Sequence, residues 1–244
     1  MTTQPPIGTT AVETNPEGAN PTGSQEQFVL PDGTTDAFNA DVDGLQSADA
    51  FPWEEQSSRM KFTTQMPEKL KALLGGDWPV DGPPKLEISD SKAQEACSEH
   101  ALERIQKKVG DIDRTESKCL QRLKITRNRL VPIIRELALF YPQCSIQISG
   151  FFLYPKGGGY MGWHTNSGAA CTRVYVTHTI VSDKSFFRYY SGGECVTSWD
   201  KEGWNIRQFE VTEGDKDPLW HCVYADCQRL SIGFRINKNL KPLK

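Results

Sequence analysis

Positive charge is missing from the first quarter of this chain. No Lys or Arg precedes Arg59, while ten Asp or Glu fall within the first 58 residues. All 28 basic residues therefore share 59–244 with 21 of the 31 acidic ones, and the net charge of −3 hides a tail of −10 and a body of +7. Clusters of Lys or Arg are also lacking, which argues against nucleic acid as a partner. No stretch approaches 18 apolar residues, so no membrane span is expected. A basic segment followed by an apolar one is absent from the N-terminus, so no secretory leader is expected and the location should be intracellular and cytoplasmic. The seven cysteines (Cys97, Cys119, Cys144, Cys171, Cys195, Cys222 and Cys227) are odd in number and contain no C-x-x-C pair. That excludes a regular disulfide framework and fits reduced thiols. His221, Cys222 and Cys227 are badly spaced for a zinc–thiolate site.

Large apolar residues are sparse up to residue 55, where Thr, Pro, Gly, Asn, Asp and Gln dominate. Such a segment cannot bury enough surface to offset its ordering entropy. Residues 1–55 are therefore expected to be a disordered acidic arm, ordered only by a protein partner or by another copy of the chain. Phe28, Val29 and Leu30, and Phe51 with Trp53, are its candidate anchors. Residues 56–143 read as a helical support region. One short helix should start at Pro67 and end at Gly75-Gly76. A second should run from Ser91 to about residue 109. A third, over about 112–139, carries Leu120, Leu123, Leu130, Ile133, Ile134 and Leu137 at three- and four-residue spacing, with Pro132 kinking or splitting it. Residues 79–84 form a loop.

From Cys144 the periodicity changes from about 3.6 to 2. Strands are expected at 145–154, 172–180, 185–190, 195–199, 204–211, 219–224 and 229–236, separated by turn residues. Short strands at this spacing indicate an all-β sandwich or barrel over 144–244. With the preceding helices the fold class is α+β.

Within that region stands Gly159-Tyr-Met-Gly-Trp-His164-Thr-Asn166. Leu219-Trp-His221 follows 57 residues after His164, and then Arg229-Leu-Ser231-Ile-Gly-Phe-Arg235. In order, spacing and flanking β-texture this set resembles the 2-oxoglutarate/Fe(II)-dependent oxygenase superfamily, over about 145–236. The resemblance implies a double-stranded β-helix, a jelly-roll or cupin-like barrel buttressed by the N-terminal helices. It implies Fe(II) and 2-oxoglutarate as cofactors, and hydroxylation of a substrate the sequence does not identify. It assigns His164 as proximal and His221 as distal metal ligand, Arg229 as the cation for the far carboxylate of 2-oxoglutarate, and Ser231 as its hydroxyl partner. Arg235 shares the strand face of Arg229 and competes for that role. Tyr154 is a further cofactor-side candidate.

The departure from the family pattern is Asn166, which stands where the third ligand is Asp or Glu. A neutral amide is a weaker hard-oxygen ligand than a carboxylate. Three readings stay open: Asn166 ligates through its carbonyl oxygen; water fills the position beside two histidines, as the aspartyl/asparaginyl hydroxylase group resembles; or the site is retired. The last makes the barrel a catalytically silent structural or binding protein held by its acidic arm. The His-Thr-Asn texture resembles small bacteriophage members, so such a protein would be virion-associated. A metal-free, cupin-like binder using Arg229 and the aromatics is a third class. His100, on a charged helix, is expected to be solvated and His178 to be a strand residue without a ligand role; Arg173 and Arg188 are expected to face solvent, the alternative being that inward-pointing copies line a substrate pocket for an anionic group. Tyr154, Tyr160, Trp163, Phe187, Tyr189 and Trp220 are expected around the site.

Overall fold

The structure is a computed structural model that describes residues 38–39, 51–75, 90–107, 118–166, 170–212 and 218–238. The acidic arm up to residue 50, with its anchor at 28–30, lies outside the described residues apart from 38–39, as does the loop at 79–84.

Thirteen strands and four helices are defined among the described residues. The strands are β1 (Phe38–Asn39), β2 (Glu54–Ser57), β3 (Met60–Thr63), β4 (Lys118–Cys119), β5 (Gln121–Arg122), β6 (Cys144–Tyr154), β7 (Gly159–His164), β8 (Cys171–Thr179), β9 (Ser185–Ser191), β10 (Glu194–Trp199), β11 (Gly203–Val211), β12 (His221–Ala225) and β13 (Arg229–Lys238). The helices are α1 (Glu68–Leu74), α2 (Asp90–Ala96), α3 (Glu99–Lys107) and α4 (Arg127–Ala138).

From β6 onward the chain behaves as one long hairpin folded on itself. β9 pairs with β10, β8 with β11, β7 with β12 and β6 with β13, all antiparallel. Further pairing of β13 with β8 and of β12 with β9 merges these pairs into two sheets. The large sheet has the order β1-β6-β13-β8-β11-β3-β2, and the small one β10-β9-β12-β7-β4. Alternation of side chains at a period of two then sorts every strand into two faces.

On the large sheet, Val174, Val176, Ile206, Ile232, Phe234 and Ile236 point outward. They pack under α1 and α4, against Leu70, Leu74, Ile133 and Leu137. The opposite face meets the small sheet through Phe187, Phe209, Tyr189 and Val223. The outer face of the small sheet, with Tyr160, Trp163, Cys222 and Tyr224, is covered by Ala93, Cys97, Ala101 and Leu102 of the α2–α3 segment. Each fully buried aliphatic or aromatic side chain contributes about 1.5–3 kcal/mol of transfer free energy. The helices therefore stabilise the sheets from both sides.

Several local expectations are corrected. The helix expected from about residue 112 begins only at Arg127; residues 118–122 are instead two short strands, one on each sheet. Pro132 lies inside α4 without dividing it. The helix expected from Ser91 is two helices, broken where Cys97 turns its thiol toward the carbonyls of Val223 and Met161. The support region also supplies β2 and β3, which extend the large sheet beyond β11. Phe51 is buried and packs on Phe140 at 4.1 Å between ring centroids. Among the described residues, no helix is long and apolar enough to cross a membrane.

Candidate active site

His164 ends β7 and His221 begins β12, and the two are direct cross-strand partners. Their parity is set by a bulge. Between this pair and the next, Val223 opposite Met161, β7 holds one more residue than β12. Met161 faces the interior and Trp163 faces out against α2–α3, where its indole donates to Ser98 O at 2.7 Å. The extra residue lets His164 face inward again, three positions after Met161. Bulges of this kind re-aim side chains at sheet ends and sites. The imidazole centroids lie 4.1 Å apart, inclined at 55°.

Both rings are pinned in the same way. His164 Nδ1 lies 2.9 Å from Gly162 O and His221 Nδ1 lies 2.8 Å from Leu219 O. A carbonyl accepts only, so each Nδ1 carries the hydrogen and each Nε2 keeps its lone pair, the tautomer a metal requires. Burial, and then the neighbouring His164, hold the His221 imidazole well below the usual histidine pKa, so it is neutral at physiological pH. Phe187 stacks on His221 at 5.0 Å and Phe209 lies at 5.5 Å, closing the inner side of the pair to water.

Asn166 reaches the same place. Its Nδ2 donates to the Tyr175 hydroxyl at 3.1 Å and to His221 Nε2 at 3.2 Å. The amide thus faces the ligand nitrogen with its hydrogens; ligation through oxygen requires it to turn over. Among the described residues no group of three His, Cys, Asp or Glu comes together, so a metal here would have two histidines and an amide. A cavity of about 10 Å³, lined in part by Asn166, Phe209 and Leu219, has room for about one water.

No protein-family model matches the chain, and no curated protein matches it. Among solved structures it is similar to a prolyl-4-hydroxylase from Pseudomonas putida, at 14% identity and a TM-score of 0.33, over 62% of this chain and 89% of that one. It is also similar to an oxidoreductase of the 2OG-Fe(II) oxygenase family from Burkholderia pseudomallei (13%, 0.36, 59% and 82%). A prolyl hydroxylase from Trichoplax adhaerens, solved with a hypoxia inducible factor peptide fragment, stands at the same distance (13%, 0.36, 62% and 82%). Likeness at this distance says nothing about the chemistry of the site.

The other expected site residues divide into two places. Arg229, Ser231 and Arg235 share the interior face of β13 with Gly233, as parity predicts, opposite Thr179, Thr177 and Arg173 of β8. Gly233 is required there: a Cβ would come within 2.7 Å of Ser149 Oγ and 3.1 Å of the Tyr175 ring. Arg229, however, is held on one side and open on the other, its Nη1 being buried without a partner. Its Nε donates to Asp200 Oδ2 at 2.8 Å, and its guanidinium lies 5.2 Å from the Tyr154 ring centroid. Asp200 also accepts from Arg207 Nη1 at 2.5 Å and from the Ser185 hydroxyl at 2.5 Å. Burial raises the Asp200 carboxyl, but Arg229, Arg207 and Ser185 outweigh it and hold it well below the usual carboxylate range. The cation expected to grip a co-substrate carboxylate thus already holds a carboxylate of the chain itself.

Of the expected aromatics, Phe187 and Tyr189 lie inside with the histidines, while Tyr160, Trp163 and Trp220 belong to the cluster under α2–α3. His178 packs edge-on to Trp204 and His100 is exposed. Arg173, expected to face solvent, is instead buried on the interior face, while Asp200, Arg207 and Tyr175 escaped the sequence reading as site residues. A signal for two was present: Arg207 alternates with Phe209 and Val211, and Arg173 with Tyr175, in rows that must face the interior if their apolar members do.

Proposed function

We propose that this chain is a non-haem Fe(II)-dependent oxygenase of the two-histidine type, a hydroxylase built on a double-stranded β-helix. The observation that carries the reading is the bulge that turns His164 inward beside His221, with both Nδ1 atoms locked on backbone carbonyls so that the lone pairs lie on the Nε2 atoms. The mirror pairing of β6–β9 with β10–β13 is the winding such a barrel requires. The donor set fits the metal at two positions, and His164 and His221 would hold it. Fe(II) bound there supplies oxygen activation. The residues around it do the positioning: Gly162 O and Leu219 O fix the tautomers, Phe187 and Phe209 exclude water, and Tyr175 orients Asn166. For 2-oxoglutarate the expected grip is shared: Asp200 holds Arg229 Nε, and only Nη1 of that guanidinium, buried without a partner, is left for a co-substrate carboxylate.

Two observations favour a second reading, a metal-free barrel serving as a structural or binding protein, with the acidic arm as its attachment. His221 Nε2 already accepts from Asn166, and Arg229 Nε already donates to Asp200. Anaerobic titration with Fe(II), alone and with 2-oxoglutarate, separates the two. Stoichiometric Fe(II) binding that His221→Ala abolishes, with a visible chelate band when the oxo acid is added, supports the oxygenase. Absence of Fe(II) binding at millimolar metal leaves the binding barrel.

A further inference from the structure

The cluster around Asp200 is out of charge balance. The side chains of Asp200, Arg207 and Arg229 are at most 1% exposed, and they bring together two guanidiniums and one carboxylate. Arg207 is saturated: its Nε donates to the Ser198 hydroxyl at 2.9 Å, its Nη2 to Ser198 O at 3.0 Å and its Nη1 to Asp200 Oδ1 at 2.5 Å. Arg229 is not. Its Nε donates to Asp200 Oδ2 at 2.8 Å, while its Nη1 is buried without a hydrogen-bond partner. The remaining buried acidic side chain among the described residues is Glu136 on α4, which pairs with Lys69.

Charge counting gives each member a role. One carboxylate neutralises one cation, so the cluster keeps one positive charge, and the unpartnered donor of Arg229 is where that charge is presented. A buried charge is strongly unfavourable unless it is paired, and the planar guanidinium fork suits a carboxylate. Without Arg207, Asp200 and Arg229 would form a neutral pair with nothing left to attract a second carboxylate. Asp200 also fixes orientation, because a guanidinium held at Nε and placed 5.2 Å from the Tyr154 ring centroid cannot swing away. Phe187 joins the cluster to the histidine pair: its ring centroid lies 5.9 Å from Arg207 Cζ and 5.0 Å from that of His221.

We propose that Arg207 and Asp200 are positioning residues for a carboxylate ligand of Arg229: Asp200 holds the guanidinium by its Nε, and Arg207 cancels the Asp200 charge so that Arg229 keeps its own for the ligand. Neither residue touches the ligand itself. The inference deepens the oxygenase reading and rests on it for the identity of the ligand, a 2-oxo acid; the charge balance stands on the three side chains alone.

The test is calorimetric titration of the full chain, metal-free and with Mn(II), using 2-oxoglutarate and succinate at low salt. Native protein should bind. Arg207→Met makes the cluster neutral while leaving Arg229 in place, and should weaken binding by at least about tenfold. Adding Asp200→Asn to Arg207→Met restores the native net charge of the cluster and keeps an acceptor for Arg229 Nε, so the double variant should return to within about threefold of native affinity. A residue that merely supports the fold would leave the double variant no better than the single one. Arg207→Gln makes the same change of charge and keeps a donor for Ser198; alone and with Asp200→Asn, it gives the reading should the Met variants not fold. Arg104→Gln, in an exposed ion pair, removes the same charge from the protein and should bind as native. Loss in the single variant with recovery in the double supports the two roles. Should Mn(II) fail to bind while that pattern persists, the metal reading falls and the positioning roles stand. Equal binding by native and Arg207→Met proteins, or a double variant as weak as the single, overturns the proposal even if Mn(II) binds. Native protein that binds neither acid at about 10 mM overturns it as well.

Discussion

Asp200→Asn is the substitution whose effect the structure fixes most closely. The side chain is fully buried, and so are the two guanidiniums it holds, at 2.5 Å and 2.8 Å. Asn keeps the shape and an acceptor but leaves two positive charges in the interior without their anion. Breaking a buried ion pair from one side costs about 3–5 kcal/mol, and solvent screening does not soften it here because all three groups are dry. For a domain of this size each kcal/mol moves the melting temperature by about 2–4 °C, so a fall of about 6–20 °C is expected. The pH dependence follows from the depressed carboxyl. A carboxylate whose folded pKa lies below its unfolded value stabilises fully above the unfolded value, about 3.9, and that stability is lost as pH falls from there through the folded value. Native protein should therefore weaken in acid below about pH 4 more steeply than Asp200→Asn, which has no such proton to take up. Replacing all three partners together, as Asp200→Leu with Arg207→Met and Arg229→Met, should recover most of the loss, since an apolar core avoids the desolvation of charges. Thermal and denaturant unfolding between pH 3 and 7 read all of this. A single Asp200→Asn variant that unfolds within about 1 kcal/mol of native would show that the two arginines find water or other partners, and would refute the triad as a lock on the fold.

Asn166→Asp should tighten Fe(II) or Mn(II) binding at the histidine pair by about tenfold or more, because it adds a charged oxygen ligand within reach of His221 Nε2; unchanged affinity in a competition titration would mean that Asn166 does not face the metal position. Gly233→Ala should destabilise by about 1–3 kcal/mol through overpacking against Ser149 and Tyr175, and its melt should shift accordingly. A variant that melts with the native protein would show that the Tyr175 ring gives way. Phe187→Ala should cost about 3–5 kcal/mol, since it empties a fully buried site stacked on His221. In denaturant titration a loss below about 1 kcal/mol would show that the interior recloses around the histidines.

The sequence by itself determined the strands and their faces. The switch to period two after Cys144 located β6 and β8 to β13 nearly at their ends, and parity alone put Arg229, Ser231 and Arg235 on one face, because alternation is a property of the extended backbone and needs no partner. The histidine pair was legible too, through residue type and order. What parity could not carry was any place where the backbone breaks its own period. The bulge in β7 turns His164 inward and Trp163 outward, and it exists only because β12 pairs one residue short of it. Local apolar spacing over residues 118–122 suits a helix, and pairing with β6 and β7 overrides it. The partners of the arginines were beyond reach for the same reason. Asp200, just past the end of β10, binds Arg207 seven residues and Arg229 29 residues further along the chain, while Arg173, in a row of the same character, receives no carboxylate. Charge pairing in an interior is set by which strands the fold lays side by side, and that is a property of the two packed sheets rather than of any one strand.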